Sequence, residues 1–172
     1  MATHEYKTYH IDRFWDDEFK TIKYHNEPFN DPVSVEQWIS QGFPTKVTGD
    51  MCDMKSTQPL WNQDFIIFYT NQGWKDIGTS YYRMGSGTVM PTHSDLYKSY
   101  INKFNLHGME HTIRRALIFL EDWRPGHYLD CMGKAFVHWH AGDVVEWAYD
   151  TPHSAANVGF DNRYTLQITG HV

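Results

Sequence analysis

Cysteine is scarce: Cys52 and Cys131 are the two in 172 residues, and no metal-like spacing links them. That excludes a disulfide-stapled secreted fold and suits a reducing compartment. No apolar run approaches the roughly 20 residues of a membrane-spanning helix. The stretch 1–14 is polar and mixed in charge, without the apolar core of a signal peptide. The expectation is a cytoplasmic protein with no membrane partner. Positive charge is short as well. Fifteen Lys and Arg, scattered along the chain, face 21 Asp and Glu, for a net charge of −6. Such a pattern predicts no nucleic-acid footprint. Internal repeats, low-complexity tracts and linkers are also lacking, which points to a single domain over 1–172.

What the chain does have is aromatic and imidazole side chains. Aromatics make up 16% of the residues, enough for a packed core with aromatic walls. Histidine, at 11 residues, is the compositional outlier. Neutral imidazole is a common ligand for borderline metals, so the count directs attention to metal sites.

The hydrophobic pattern divides the chain near residue 63. The N-terminal part is expected to be a helical support. Ser34-Val-Glu-Gln37 has the form of a capping box behind Asp31-Pro32, Trp38 and Ile39 supply an apolar face, and Gly42 stands where a helix would end. The remainder, 64–172, reads as a β-rich core. Phe65-Ile-Ile-Phe-Tyr69 and Ser80-Tyr-Tyr-Arg-Met84 are rich in β-formers, and a turn at Gly85-Ser-Gly87 follows. Strands are predicted over 88–93, 112–120, 127–132, 135–140, 144–149 and 164–169, with a short helical or irregular connection over 96–104. Many short strands behind an N-terminal helix suggest a sandwich or partly open barrel.

His93-Ser-Asp95 sets an imidazole and a carboxylate two residues apart, on one face if the backbone is extended. With 11 histidines such a pair arises by chance, and His10-Ile-Asp12 is read as the chance case. The first pair differs in its company. Thr151-Pro-His153 follows a strand and a short turn, and Arg163-Tyr-Thr165 lies ten positions on. Two His and one carboxylate around an ion leave open positions for substrate and oxygen. A guanidinium beside a hydroxyl can hold a carboxylate through parallel charge-assisted bonds.

This order resembles the 2-oxoglutarate/iron(II)-dependent oxygenases: H-x-D, a distal His, then Arg-x-Ser/Thr. Gly87-Thr-Val-Met-Pro-Thr92 before His93 and Ala141-Gly-Asp143 before the distal strand strengthen the likeness, which spans about 82–170. The resemblance implies a mostly β fold, the double-stranded β-helix or cupin-like jelly roll, with an N-terminal helical segment. It also implies iron(II) on His93, Asp95 and His153, with O2 and 2-oxoglutarate as co-substrates. The far carboxylate of 2-oxoglutarate would rest on Arg163 and Thr165, with Tyr82 as a further binder. The expected reaction releases succinate and CO2 and hydroxylates an amino acid, a peptide side chain or a small metabolite. Halogenating members lack the carboxylate ligand, so Asp95 favours oxygen insertion.

Two other readings stay open. His138-Trp-His140, Glu146 and His153 echo a four-ligand cupin metal site, although only seven positions separate the last two. A jelly roll that binds without catalysing would keep the pocket. Trp123, Trp139 and Trp147 are expected to be packing residues, and the 123–127 loop is a candidate border of the substrate mouth.

Overall fold

The structure is a computed structural model, and it describes residues 5–26, 28–44 and 48–172; residues 1–4 of the N-terminal stretch lie outside it. Eleven strands are described: β1 Tyr6–His10, β2 His25–Asn26, β3 Asp50–Asp53, β4 Lys75–Met84, β5 Thr88–His93, β6 Ile113–Phe119, β7 His127–Cys131, β8 Lys134–Phe136, β9 Asp143–Ala148, β10 His153–Asn157 and β11 Arg163–His171. Three α-helices join them: α1 Pro32–Ser40, α2 Asn62–Asn71 and α3 Lys98–Phe104. The strands form a seven-stranded sheet, β1-β9-β6-β11-β4-β3-β2, and a four-stranded sheet, β5-β10-β7-β8. Every pairing is antiparallel.

The large sheet is buried on both faces, which explains the unbroken apolar run Ala116-Leu-Ile-Phe119 in β6, continued by Leu120 just past its end. One face, with Ala116, Ile118, Leu166 and Ile168, packs under Ile11, Trp15, Phe19, Phe65 and Tyr69. The other, with Leu117, Phe119, Val145 and Trp147, meets Leu129, Cys131 and Ala155 of the small sheet. Strand alternation thus splits neighbouring residues of β6 and β11 between two cores and leaves one row facing the inter-sheet space.

Several expectations are corrected. Phe65-Ile-Ile-Phe-Tyr69 is helical, not a strand. Asn62, Phe65 and Tyr69 recur at helical spacing on the buried face of α2, and Ile67 is turned toward solvent. Five β-formers in a row carry no period of their own, and tertiary burial chose the helix. The first 63 residues are not simply helical, for β1, β2 and β3 extend both edges of the large sheet. Asp31, not Ser34, occupies the N-cap of α1, and the Ser34 hydroxyl donates to Asp31 Oδ2 at 2.7 Å. The strand expected over 135–140 stops at Phe136, and His138 adopts φ 59°. Gly42 does end α1, with φ +91°. No helix among the described residues is long and apolar enough to cross a membrane.

Gly142 fastens the N-terminal segment to the barrel. Its carbonyl accepts from Ile11 N at 2.9 Å, and its own N–H donates to Phe119 O at 2.8 Å. Its φ is +97°, and a Cβ there would meet Ile11 O at 2.1 Å. Gly142→Ala is therefore expected to destabilise the protein by about 2 kcal/mol or more, read as a lowered urea midpoint.

Candidate metal centre

Antiparallel pairing of β5 and β10 sets His93 directly across from His153. Their ring centroids lie 4.4 Å apart. Asp95 lies just past the end of β5, in the turn leading to α3, rather than on the strand itself. Asp95 Oδ1 is 3.8 Å from His93 Nε2, and Oδ2 is 3.7 Å from His153 Nε2. One ligand atom from each of the three residues falls within 4.8 Å of the others. Among the described residues this is the group of His, Cys, Asp and Glu so arranged.

The backbone fixes both imidazoles. His93 Nδ1 donates to Pro91 O at 2.8 Å, and His153 Nδ1 donates to Thr151 O at 2.9 Å. A carbonyl only accepts, so each Nδ1 carries a proton and each Nε2 is the nitrogen turned toward Asp95. Burial is the main reason that the pKa of His153 falls to about 4, with Asp95 opposing the shift; the ring is neutral at physiological pH. For Asp95 burial acts upward, but Arg115, His153 and His93 together hold the carboxyl below its ordinary value. Asp95 Oδ2 is buried and accepts no well-aligned hydrogen bond, although Arg115 Nη1 stands 3.2 Å away. A buried carboxylate facing the Nε2 atoms of two imidazoles is a donor set that fits a divalent cation. Aromatic rings enclose the pair: Phe29 and Trp38 pack on His93, and Trp147 on His153.

The triad lines a cavity of about 460 Å³ between the sheets, and Arg163, Thr165 and Tyr82 line the same cavity. Thr165 pairs with Tyr82 on β4 and with Phe119 on β6, so the large sheet presents them side by side. Arg163 is buried at 4% exposure with no carboxylate partner among the described residues. Its Nη1 reaches the Met84 sulfur at 3.6 Å, and its Nε and Nη2 have no partner. Phe119 and Trp139 hold the guanidinium against their rings, at 5.8 and 5.6 Å. Burial pushes its pKa down to about 10.

The alternative four-ligand set is not gathered. Glu146 is spoken for on the other face of β9, by Lys7 at 3.0 Å and the Tyr9 hydroxyl at 2.9 Å. His140 sits 79% exposed beside Asp122, and His138 packs on Trp123. His138→Ala and His140→Ala are accordingly expected to leave metal affinity within about twofold in a calorimetric titration, a difference of less than ~0.5 kcal/mol. His10 pairs with Asp143 at 2.8 Å on the surface, away from the cavity. Trp139 and Trp147 are core residues, as expected. The 123–127 loop does not line the cavity, because Trp123 turns inward to bond the His127 carbonyl.

Sequence reasoning missed Arg115, Tyr97 and Gln167. Arg115 Nη1 bridges Asp95 and the Gln167 side-chain carbonyl, and its Cζ lies 4.9 Å over the Tyr97 ring. The one available signal was its place in β6, on the inward row with Ile113, Leu117 and Phe119.

No protein-family model matches the chain, and no curated protein matches it. Among solved structures it is similar to a prolyl-4-hydroxylase from Pseudomonas putida, 15% identical, covering 99% of this chain and 94% of that one with a TM-score of 0.60. The fold is a double-stranded β-helix of the cupin type. Two further likenesses are weaker: KdgF from Halomonas sp. (7% identity, 94% and 96% covered, TM-score 0.47) and the Schizosaccharomyces pombe Cnp3 cupin domain (7%, 72% and 61%, 0.43). At these identities the likeness concerns fold alone.

Proposed function

We propose that the protein is a 2-oxoglutarate- and iron(II)-dependent dioxygenase that hydroxylates an amino acid, a peptide side chain or a small metabolite. One observation carries the reading: a two-imidazole, one-carboxylate cluster shares a single cavity with a buried guanidinium that lacks an anion. His93, Asp95 and His153 would hold the metal, leaving open positions for ligands. Arg163 would take the far carboxylate of 2-oxoglutarate, with the Thr165 hydroxyl and Tyr82 beside it. When bound, iron(II) with 2-oxoglutarate and O2 supplies oxidative decarboxylation, to succinate and CO2, coupled to hydroxylation of a C–H bond.

The chain's own part is positioning and exclusion. Pro91 O and Thr151 O hold the imidazoles in the ligating tautomer. Arg115 keeps Asp95 ionised. Leu117, Leu129, Met84 and Met90 give the cavity apolar walls that keep water from the reacting groups.

The test is anaerobic titration of 2-oxoglutarate into iron-loaded protein, followed by its charge-transfer absorption, then admission of O2 with assay for succinate. Succinate release that requires both iron and 2-oxoglutarate is expected. Metal binding without 2-oxoglutarate binding would overturn the reading in favour of a jelly-roll metal-binding module.

A further inference from the structure

The cavity carries more positive charge than a metal and one dicarboxylate can use. Lys55, Lys98, Lys103, Arg115 and Arg163 line it, against Asp53 and Asp95, in a chain whose net charge is −6. A bound dication and a bound dianion cancel, so the excess of cations stays. Lys98 and Lys103, on α3, pair with no carboxylate among the described residues, and Lys55 reaches Asp53 only at 3.9 Å. Cationic walls of low dielectric concentrate anions at such a mouth.

Deeper in, Arg115 stands at the other end of the sheet from Arg163. Arg115 pairs with Thr169 on β11, six residues along from Arg163, which is roughly 20 Å of strand. The two guanidiniums therefore enter the cavity from opposite ends. Arg115 Nε is buried without a hydrogen-bond partner, and the Tyr97 hydroxyl lies beside both Arg115 and Asp95, so guanidinium and phenol line the cavity as one polar group. Tyr97 takes φ 49°, a left-handed conformation that costs an aromatic residue energy and turns its ring onto Arg115. A metal held by Asp95 would draw part of its charge from Arg115.

We infer that Arg115 and Tyr97 form a carboxylate subsite for the primary substrate, and that this substrate is a small carboxylic acid drawn in past Lys98 and Lys103. The inference rests on the reading that Asp95 holds the metal and Arg163 holds the co-substrate. A planar guanidinium and a phenol give a carboxylate charge-assisted bonds that its uncharged analogue cannot match.

Calorimetry on protein saturated with iron(II) and 2-oxoglutarate, without O2, provides the test. The probes are N-acetyl amino acids, each compared with its own carboxamide. The 2-oxoglutarate charge-transfer band is read first, so loss of that reading is seen before any acid is added. At least one acid is expected to bind about tenfold or more tightly than its amide. In Arg115→Met, once iron and 2-oxoglutarate loading have been verified by the charge-transfer band, that acid should fall to the level of its amide, and Arg115→Lys should recover part of the preference. Tyr97→Phe, a change that keeps the packing, should weaken the acid by about tenfold.

The inference is overturned if no acid is preferred to its amide. It is equally overturned if Tyr97→Phe shifts metal affinity while the acid–amide ratio stays put, since Tyr97 would then serve Asp95 alone. Loss of 2-oxoglutarate rather than acid in Arg115→Met would make Arg115 the co-substrate anchor instead. Displacement of the acid by a single-stranded oligonucleotide would show a polyanion site.

Discussion

Alanine at His93, Asp95 or His153 is expected to abolish iron-dependent turnover and weaken metal binding by about a hundredfold or more, since even the partners that merely orient ligands are worth 10–100-fold. The three variants should differ in stability. Removing the His93 ring takes away an imidazole packed edge-on to Phe29 and Trp38, and the loss is one of contacts. Removing the Asp95 carboxylate leaves Arg115 without its anion in a largely enclosed site, at a cost on the order of 1–3 kcal/mol. Asp95→Asn keeps the shape but gives up the charge. It should bind metal poorly and melt below the wild type, by less than Asp95→Ala. Calorimetric metal titrations paired with urea melts check both halves. Retained metal binding in His93→Ala or His153→Ala would remove the triad from consideration.

That triad was legible because strand alternation and a short turn suffice to bring its members together. His93 ends one strand and His153 begins its partner, so a spacing pattern in the sequence maps onto one rung of the sheet. Arg163-x-Thr165 was legible for the same reason, as alternate residues of one strand facing the cavity. The edge strands were not. Tyr6 in β1 pairs with Trp147, far away in sequence, and a short stretch of mixed polarity carries no signal of so distant a partner. Arg115 was hidden differently. A lone arginine in an apolar strand has neither period nor motif, and its partners Asp95, Tyr97 and Gln167 come from two other segments. In α2, a run of β-formers concealed the wider spacing of Asn62, Phe65 and Tyr69, which becomes visible only when the window extends beyond the run.

Replacing Arg163 is expected to move function and stability in opposite directions. In the protein free of ligand, Arg163 is a cation buried between Phe119 and Trp139, with a sulfur and no carboxylate to balance it. Burial lowers its pKa from the ordinary guanidinium range to about 10, a mark of a charged form disfavoured by the fold by on the order of 3 kcal/mol. The sign follows directly: the folded state binds the proton less tightly than the unfolded chain, so stability is lower below about pH 10 and rises as pH climbs above it. Arg163→Met removes the buried charge and keeps much of the volume. Its stability at neutral pH should therefore equal or exceed that of the wild type by about 1–3 kcal/mol, as when buried ionic groups give way to apolar ones. The same change should weaken 2-oxoglutarate by about a hundredfold or more, because a bound carboxylate loses its charged partner, at roughly 3–5 kcal/mol, and each ~1.4 kcal/mol is tenfold. Arg163→Lys should recover only part of the affinity, for want of the planar fork. Thr165→Val should cost less, about 1–2 kcal/mol, as one neutral donor to a charged acceptor. Metal affinity should stay nearly constant throughout, since neither residue belongs to the triad. Titrating 2-oxoglutarate into anaerobic iron-loaded variants, beside their urea midpoints, gives both axes at once. An Arg163→Met protein that is less stable yet binds 2-oxoglutarate as before would show that the guanidinium serves the core and not the co-substrate.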